Sequence, residues 1–316
     1  MRYLKWTGLV TTILCLGIFL ASFINETNKL DISAWVVDWD LRRGQDELLL
    51  YDWSSIQYFA VYFNEEDELI VDDKLEASFC KNGDSCYLTI VNDIKKQDGS
   101  SIQKDLALVH RLLNNENHVD DLVCLANELG VAGLELDYEK IPDELWADYA
   151  DFIERLGNEL KANGKQLRIV LEPRSPIDRV QLPSDYEYVM MAYNLYGYHS
   201  GPGPKADLMF ISDLVGKVKR HLSDVRVAFS LGGFDWTEGD KSRAVTMIEA
   251  QMLASKMEAS YKRDDQSGAL FFRYMDDLNR SHEVWFADEV TIETWIKEAQ
   301  KEQIDQFALW RLGGNQ

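Results

Sequence analysis

Three carboxylates fall at alternate positions in Gly133-Leu134-Glu135-Leu136-Asp137-Tyr138-Glu139. Period-two alternation predicts a strand with Glu135, Asp137 and Glu139 on one face and Leu134, Leu136 and Tyr138 on the other. If the apolar face meets a layer of helices, the acids share an interior within roughly 14 Å of strand. Ionising all three there costs on the order of several kcal/mol unless protons are shared or donors supplied. At least one carboxyl then keeps its proton near neutral pH, as a general acid must. The competing arrangement is an edge strand whose acidic face is simply solvated. Other chemistry is thin. His110, His118, His199, His221 and His282 show no ligand spacing, and no Cys-x-x-Cys pair or Gly-x-Ser-x-Gly elbow occurs. Gly201-Pro202-Gly203-Pro204 is a shaped loop whose prolines have no N–H to offer a phosphate. Neither a metal nor a cofactor is expected.

Such a strand needs a scaffold, and the chain supplies one by alternating short apolar or β-branched runs with amphipathic helices. The runs are 32–37, 56–63, 87–91, 133–138, 167–171, 188–192, 225–231 and 307–310. The clearest helix follows the fourth run: Leu145, Tyr149, Phe152, Ile153, Leu156 and Leu160 recur at three-to-four spacing, with Pro142 before them and Gly164 after. Eight strands alternating with helices predict an α/β fold, a (β/α)8 TIM barrel, with functional residues at the strand C-termini. The chain has 316 residues, 46% of them hydrophobic, and no long linker past residue 30, so one domain over 31–316 is expected. Asp and Glu total 54 against 33 Lys and Arg, a net charge of -21, which argues against nucleic acid as a partner. A monomer is the working expectation.

Arg2 and Lys5 precede an uncharged apolar run from Thr7 to Phe23, and polar residues 25–29 follow it. Residues 1–30 read as a signal peptide or membrane anchor, which places the rest outside the membrane with membrane contact only through this segment. Cys80 and Cys86 bracket a turn-rich loop, Lys81-Asn82-Gly83-Asp84-Ser85, that a small disulfide could close in an oxidising compartment; the sequence leaves bonded and free forms open. Cys124 falls among Val119, Leu122, Val123 and Ala126 and is expected to be a buried free thiol.

Taken in order, the motifs resemble glycoside hydrolase family 18, the chitinase-like barrels, whose signature is Asp-Gly-x-Asp-x-Asp-x-Glu. Here the stretch reads Ala132-Gly133-Leu134-Glu135-Leu136-Asp137-Tyr138-Glu139. Met191-Ala192-Tyr193-Asn194 resembles the Met-x-Tyr-Asp motif of strand six, Gly233-Phe234-Asp235-Trp236 stands at the end of strand seven, and Leu309-Trp310-Arg311-Leu312-Gly313 resembles strand eight. Residues 201–204 and His282-Glu283-Val284-Trp285-Phe286 are similar to the bacterial branch associated with cell-wall and spore peptidoglycan.

The resemblance implies a retaining, substrate-assisted glycosidase acting on a polysaccharide or oligosaccharide that contains N-acetylglucosamine, either chitin-like or peptidoglycan. It implies that Glu139 is the general acid and that Asp137, backed by Glu135, orients the acetamido group, whose own oxygen is the nucleophile. Tyr193 would hydrogen-bond that group, Trp310 would floor the sugar site, and Met191, Asn194 and Trp35 would line it. For Trp35, Trp39, Trp53 and Trp236, core packing is the equal alternative to a sugar subsite. The sequence departs from the family at Ala132 and Glu135, each in place of an Asp, and at Asn194. The relay behind Asp137 is then expected to be one acid shorter and one methylene longer. Glu172, in Leu171-Glu172-Pro173-Arg174, would be a second catalytic carboxylate in a two-acid glycosidase, but an ion pair with Arg174 is the expectation. The rival class is a non-catalytic glycan-binding barrel, which keeps the aromatic floor and usually loses the acid; Glu139 is retained.

Overall fold

The computed structural model describes residues 30–72 and 85–313. The leader read at 1–30 therefore lies, except for Leu30, outside the described residues, as does Cys80. No described helix is long and apolar enough to cross a membrane.

Eight strands form the centre: β1 Asp31–Val37, β2 Ile56–Phe63, β3 Cys86–Lys95, β4 Gly133–Asp137, β5 Gln166–Leu171, β6 Glu187–Met191, β7 Val225–Ser230 and β8 Gln306–Trp310. Each pairs in parallel with its neighbour, and β8 pairs with β1 to close the barrel. Each apolar run picked out in the sequence forms one of these strands. The outer helices are α1 Leu41–Leu48, α2 Leu106–Leu113, α3 His118–Glu128, α4 Trp146–Ala162, α5 Leu208–His221 and, after the insertion below, α7 Glu289–Gln300. Asp105, Asp207 and Asp288 start α2, α5 and α7, each accepting a backbone N–H three residues on and so satisfying an otherwise orphan donor. Residues 172–186 join β5 to β6 by turns, without a helix.

Alternation along the strands sorts residues into two layers. Leu134, Leu136 and Tyr138 pack outward with Tyr149, Phe152 and Ile153 of α4. Inside the barrel, Trp35, Val37, Phe59, Val91, Val170, Val189, Met191, Ala228 and Ala308 form a separate apolar cluster. Arg168 and Arg226 lie nearer the strands' N-terminal ends and share Glu187, and Arg226 also pairs with Asp31 at 2.9 Å. These ion pairs plug that end, so the opposite mouth carries the cleft. At the start of β4 a Cβ on Gly133 would lie 2.3 Å from Gln166 O and 2.8 Å from Tyr87 Cε1; glycine there lets β3, β4 and β5 approach.

One part of the chain departs from a plain barrel. Between β7 and α7 an antiparallel sheet is inserted, built from Gly232–Thr237, Arg243–Val245, Lys262–Arg263, Leu270–Met275 and Ser281–Ala287, together with α6 Met247–Lys256. It has its own apolar core, including Met247, Leu270, Phe272, Val284 and Phe286. The motif order places the stretch 233–236 at the end of strand seven. It lies instead in the inserted sheet, because Gly232, at φ +66, turns the chain out of the barrel directly after Ser230.

One expectation about a single residue also changes, and one question that the sequence left open is answered. Cys124 is exposed, with its thiol 3.4 Å from Glu128 Oε1; it sits one position off the buried stripe of Val119, Leu122 and Ala126. Cys86 is disulfide-bonded. His118 is a core residue 2.9 Å from Tyr138 Oη, and burial lowers its pKa to about 4, so the ring is neutral.

Candidate active site

Strand β4 aims its acids as its alternation requires. Glu135 lies deepest and is fully buried, Asp137 follows, and Glu139 stands just past the strand end at the cleft. Glu135 Oε1 accepts hydrogen bonds from Trp35 Nε1 at 2.6 Å and Thr89 Oγ1 at 2.8 Å. Glu135 Oε2 and Asp137 Oδ1 are buried with no hydrogen-bond partner among the described residues. Lack of solvation dominates the electrostatics. Burial pushes Glu135 up to about 7, against the pull of Arg168 and of its two donors. Asp137 is raised well above the usual carboxylate range, by burial first and then by the charges of Glu139 and Glu135. Glu139 is raised to about 6 by burial, with Lys104 opposing. A column of three acids with elevated pKa values shares protons, so the pair nearest the cleft titrates as a unit.

Ala132 stands where the family has an Asp, yet no relay acid is lost with it. It has the parity of Leu134 and Leu136, which pack in the outer layer. The alteration behind Asp137 is confined to the longer Glu135, whose extra methylene is accommodated because Trp35 and Thr89 both reach it.

The cleft above the column has a volume of about 360 Å³ and is lined by Asp137, Glu139, Met191, Tyr193, Asn194 and Trp310, with Trp39 at its rim. Tyr193 is buried, and its hydroxyl is held protonated by burial and by the negative charge of Asp137 and Glu139. Asn194 lies at φ +65, a left-handed conformation that Asn tolerates. Trp310 rests edge-on against Phe59, 5.3 Å between centroids, and against Trp35 at 5.7 Å. Its ring is thus propped from beneath and partly open above.

Trp35 does not line this cleft. It is 2% exposed and uses its indole N–H to hold Glu135. Trp39, 56% exposed, is the one of the four tryptophans that lines the cleft, whereas Trp236 is buried and Trp53 packs against the outer core. Among the described residues Glu172 forms no ion pair with Arg174; it accepts from the Lys140 backbone N–H at 2.7 Å and lies near enough to Glu139 to help raise that acid's pKa. Nothing in the local sequence pattern marks Asn92 or Lys104. Asn92 accepts the Glu139 N–H at 2.9 Å and donates to its carbonyl at 3.1 Å, fixing the acid's backbone, and Lys104 forms an ion pair with its carboxylate.

No family model matches the sequence. The cortical fragment-lytic enzyme of Bacillus subtilis (strain 168) is 24% identical over 264 residues, 75% of this chain and 59% of that protein. Among solved structures, the spore cortex-lytic enzyme SleL of Bacillus megaterium QM B1551 superposes with a TM-score of 0.76 at 18% identity, covering 91% of this chain and 72% of the other. A chitinase from Chromobacterium violaceum ATCC 12472 gives 0.80 at 15% identity, covering 91% and 95%. The fold is that of the chitinase-like barrels. The chain spans little more than half the length of the curated relatives that it matches. The curated relatives are named as a glycosylase and a cortical fragment-lytic enzyme, and the solved structures of the same fold as a spore cortex-lytic enzyme and a chitinase, in line with the resemblance read from the motifs.

Proposed function

We propose that the chain is a retaining, substrate-assisted glycosidase that cleaves N-acetylglucosaminyl bonds of peptidoglycan or chitin-like glycans outside the membrane. One observation carries this reading. A buried, unpartnered carboxylate oxygen, Asp137 Oδ1, lies beside a carboxyl with an elevated pKa, Glu139, in a cleft bordered by Trp310. The free Asp137 oxygen suits an acetamido N–H, and a propped indole suits the C–H face of a sugar.

In the first step Glu139 gives its proton to the glycosidic oxygen, the bond from that oxygen to the anomeric carbon breaks, and the acetamido oxygen bonds to the same carbon. Asp137 accepts the acetamido N–H and stabilises the oxazolinium charge, with Tyr193 nearby to steady the group. In the second step Glu139, now a carboxylate, takes a proton from water as that water opens the ring, so the configuration is retained. Glu135, held by Trp35 and Thr89, is the reservoir behind Asp137.

The test is to incubate the protein with tetra-N-acetylchitotetraose and with purified peptidoglycan, resolving products by mass and the first-formed anomer by NMR. Shorter N-acetylated products released as the β-anomer are expected. Glycan affinity without any product would leave a binding barrel in place of an enzyme.

A further inference from the structure

The proton donor proposed above is clamped. Lys104 Nζ forms an ion pair with Glu139 Oε2, in a contact only partly open to solvent. Lys104 belongs to the loop between β3 and α2, and its φ of +54 puts a lysine in the left-handed region that favours glycine. Its backbone is fixed there, since its N–H donates to Asp93 Oδ1 at 2.7 Å and the next residue, Asp105, donates to Asn92 O at 2.8 Å. Asn92 is also the residue that holds both backbone groups of Glu139. Ammonium and carboxylate are therefore mounted on one hydrogen-bonded frame at the C-terminal end of β3, and an unusual backbone conformation is maintained where it serves their contact.

We propose that Lys104 is a positioning residue for Glu139, clamping the carboxylate in the open cleft and fixing the pH range in which Glu139 carries the proton it donates. The inference rests on the reading of Glu139 as proton donor. The charged and titratable groups around Glu139 are Lys104 and Asp93 from β3 and its loop, Asp137 from β4, Glu172 just past β5 and Tyr193 just past β6. Of these Lys104 is the cation, and it opposes burial and Glu172, which both favour the protonated acid. The same clamp suits the second step, where Glu139 must be a carboxylate to take a proton from water.

The test uses the full chain labelled with carboxyl-13C glutamate, with the Glu139 resonance assigned by its loss in Glu139→Gln. Its titration is followed by NMR in wild type, Lys104→Met and Lys104→Arg, beside the pH dependence of kcat/KM on tetra-N-acetylchitotetraose. In Lys104→Met the Glu139 midpoint should rise by at least about one pH unit, as expected when an adjacent opposite charge is lost, and Lys104→Arg should restore it. The alkaline limb of kcat/KM should move by the same amount. Lys104→Gln gives the same comparison if the Met variant does not fold. A midpoint unmoved in a folded variant overturns the proposal, as does a moved midpoint with an unmoved alkaline limb. A moved midpoint in a protein with no turnover on any glycan supports the clamp and overturns the glycosidase reading instead.

Discussion

At the scale of single residues, the site depends on which oxygen atoms lack a partner. Glu135 is satisfied on one oxygen by Trp35 and Thr89, whereas Asp137 Oδ1 faces no donor. Glu139→Gln keeps the shape and removes the transferable proton, so turnover should fall by about 10²- to 10⁴-fold, while glycan affinity measured by calorimetry stays near wild type. Unchanged turnover would remove Glu139 from the mechanism. The structure sorts the aromatic residues that the sequence left open between core and cleft. Trp310→Ala and Trp39→Ala should each weaken glycan binding by about 1 kcal/mol, because both rings line the cleft. Trp35→Phe should leave affinity nearly intact and move the pH profile of turnover, since Trp35 touches Glu135 and not the cleft.

At the scale of elements, β4 decides the site because its alternation serves two layers at once. The strand must also lie close to β3 and β5, and Gly133 makes that approach possible. Gly133→Ala should therefore destabilise the protein by about 1–3 kcal/mol through forced strand displacement, read as a lower thermal midpoint with reduced turnover. A variant as stable as wild type would show that β3 and β5 yield more easily than the 2.3 Å approach to Gln166 O implies. The loop after β3 matters as much as β4, since it carries both Asn92 and Lys104 to the acid.

At the scale of the whole molecule, several buried acids give stability a defined pH dependence. Glu47, buried between α1 and the exit of β8, accepts the Gly313 N–H at 2.9 Å and is pushed up from 4.5 to about 7 by burial; Glu135 rises equally. A carboxyl raised in the folded state keeps a proton that the unfolded chain has released. Its contribution is therefore fully present below pH 4.5 and is lost as pH rises to about 7. The thermal midpoint should fall between about pH 5 and 7.5, with a slope of at most about 1.4 kcal/mol per pH unit for each such proton. Glu47→Gln, which can still accept the Gly313 N–H, should flatten that fall. A midpoint that is constant or rises across this window would contradict the assignment. Asp31 and Asp288 act in the opposite sense, because their guanidinium partners lower their pKa values and their contribution is lost on acidification below about 3.8.

The sequence by itself determined the eight strands, their burial parity and the identity of the three acids. Those follow from period-two and period-3.6 patterns that burial imposes locally on neighbouring residues. It also carried the family resemblance, because the motif residues lie at strand ends in a fixed order. Tertiary structure alone decided that Trp35 supports Glu135 in place of lining the cleft, and that Gly233 to Trp236 leaves the barrel for a second sheet. The partners of Glu139 were equally hidden. Lys104 is 35 positions away in sequence and Glu172 is 33, and no local pattern of charge or hydrophobicity records which side chains meet once strands from distant parts of the chain become neighbours.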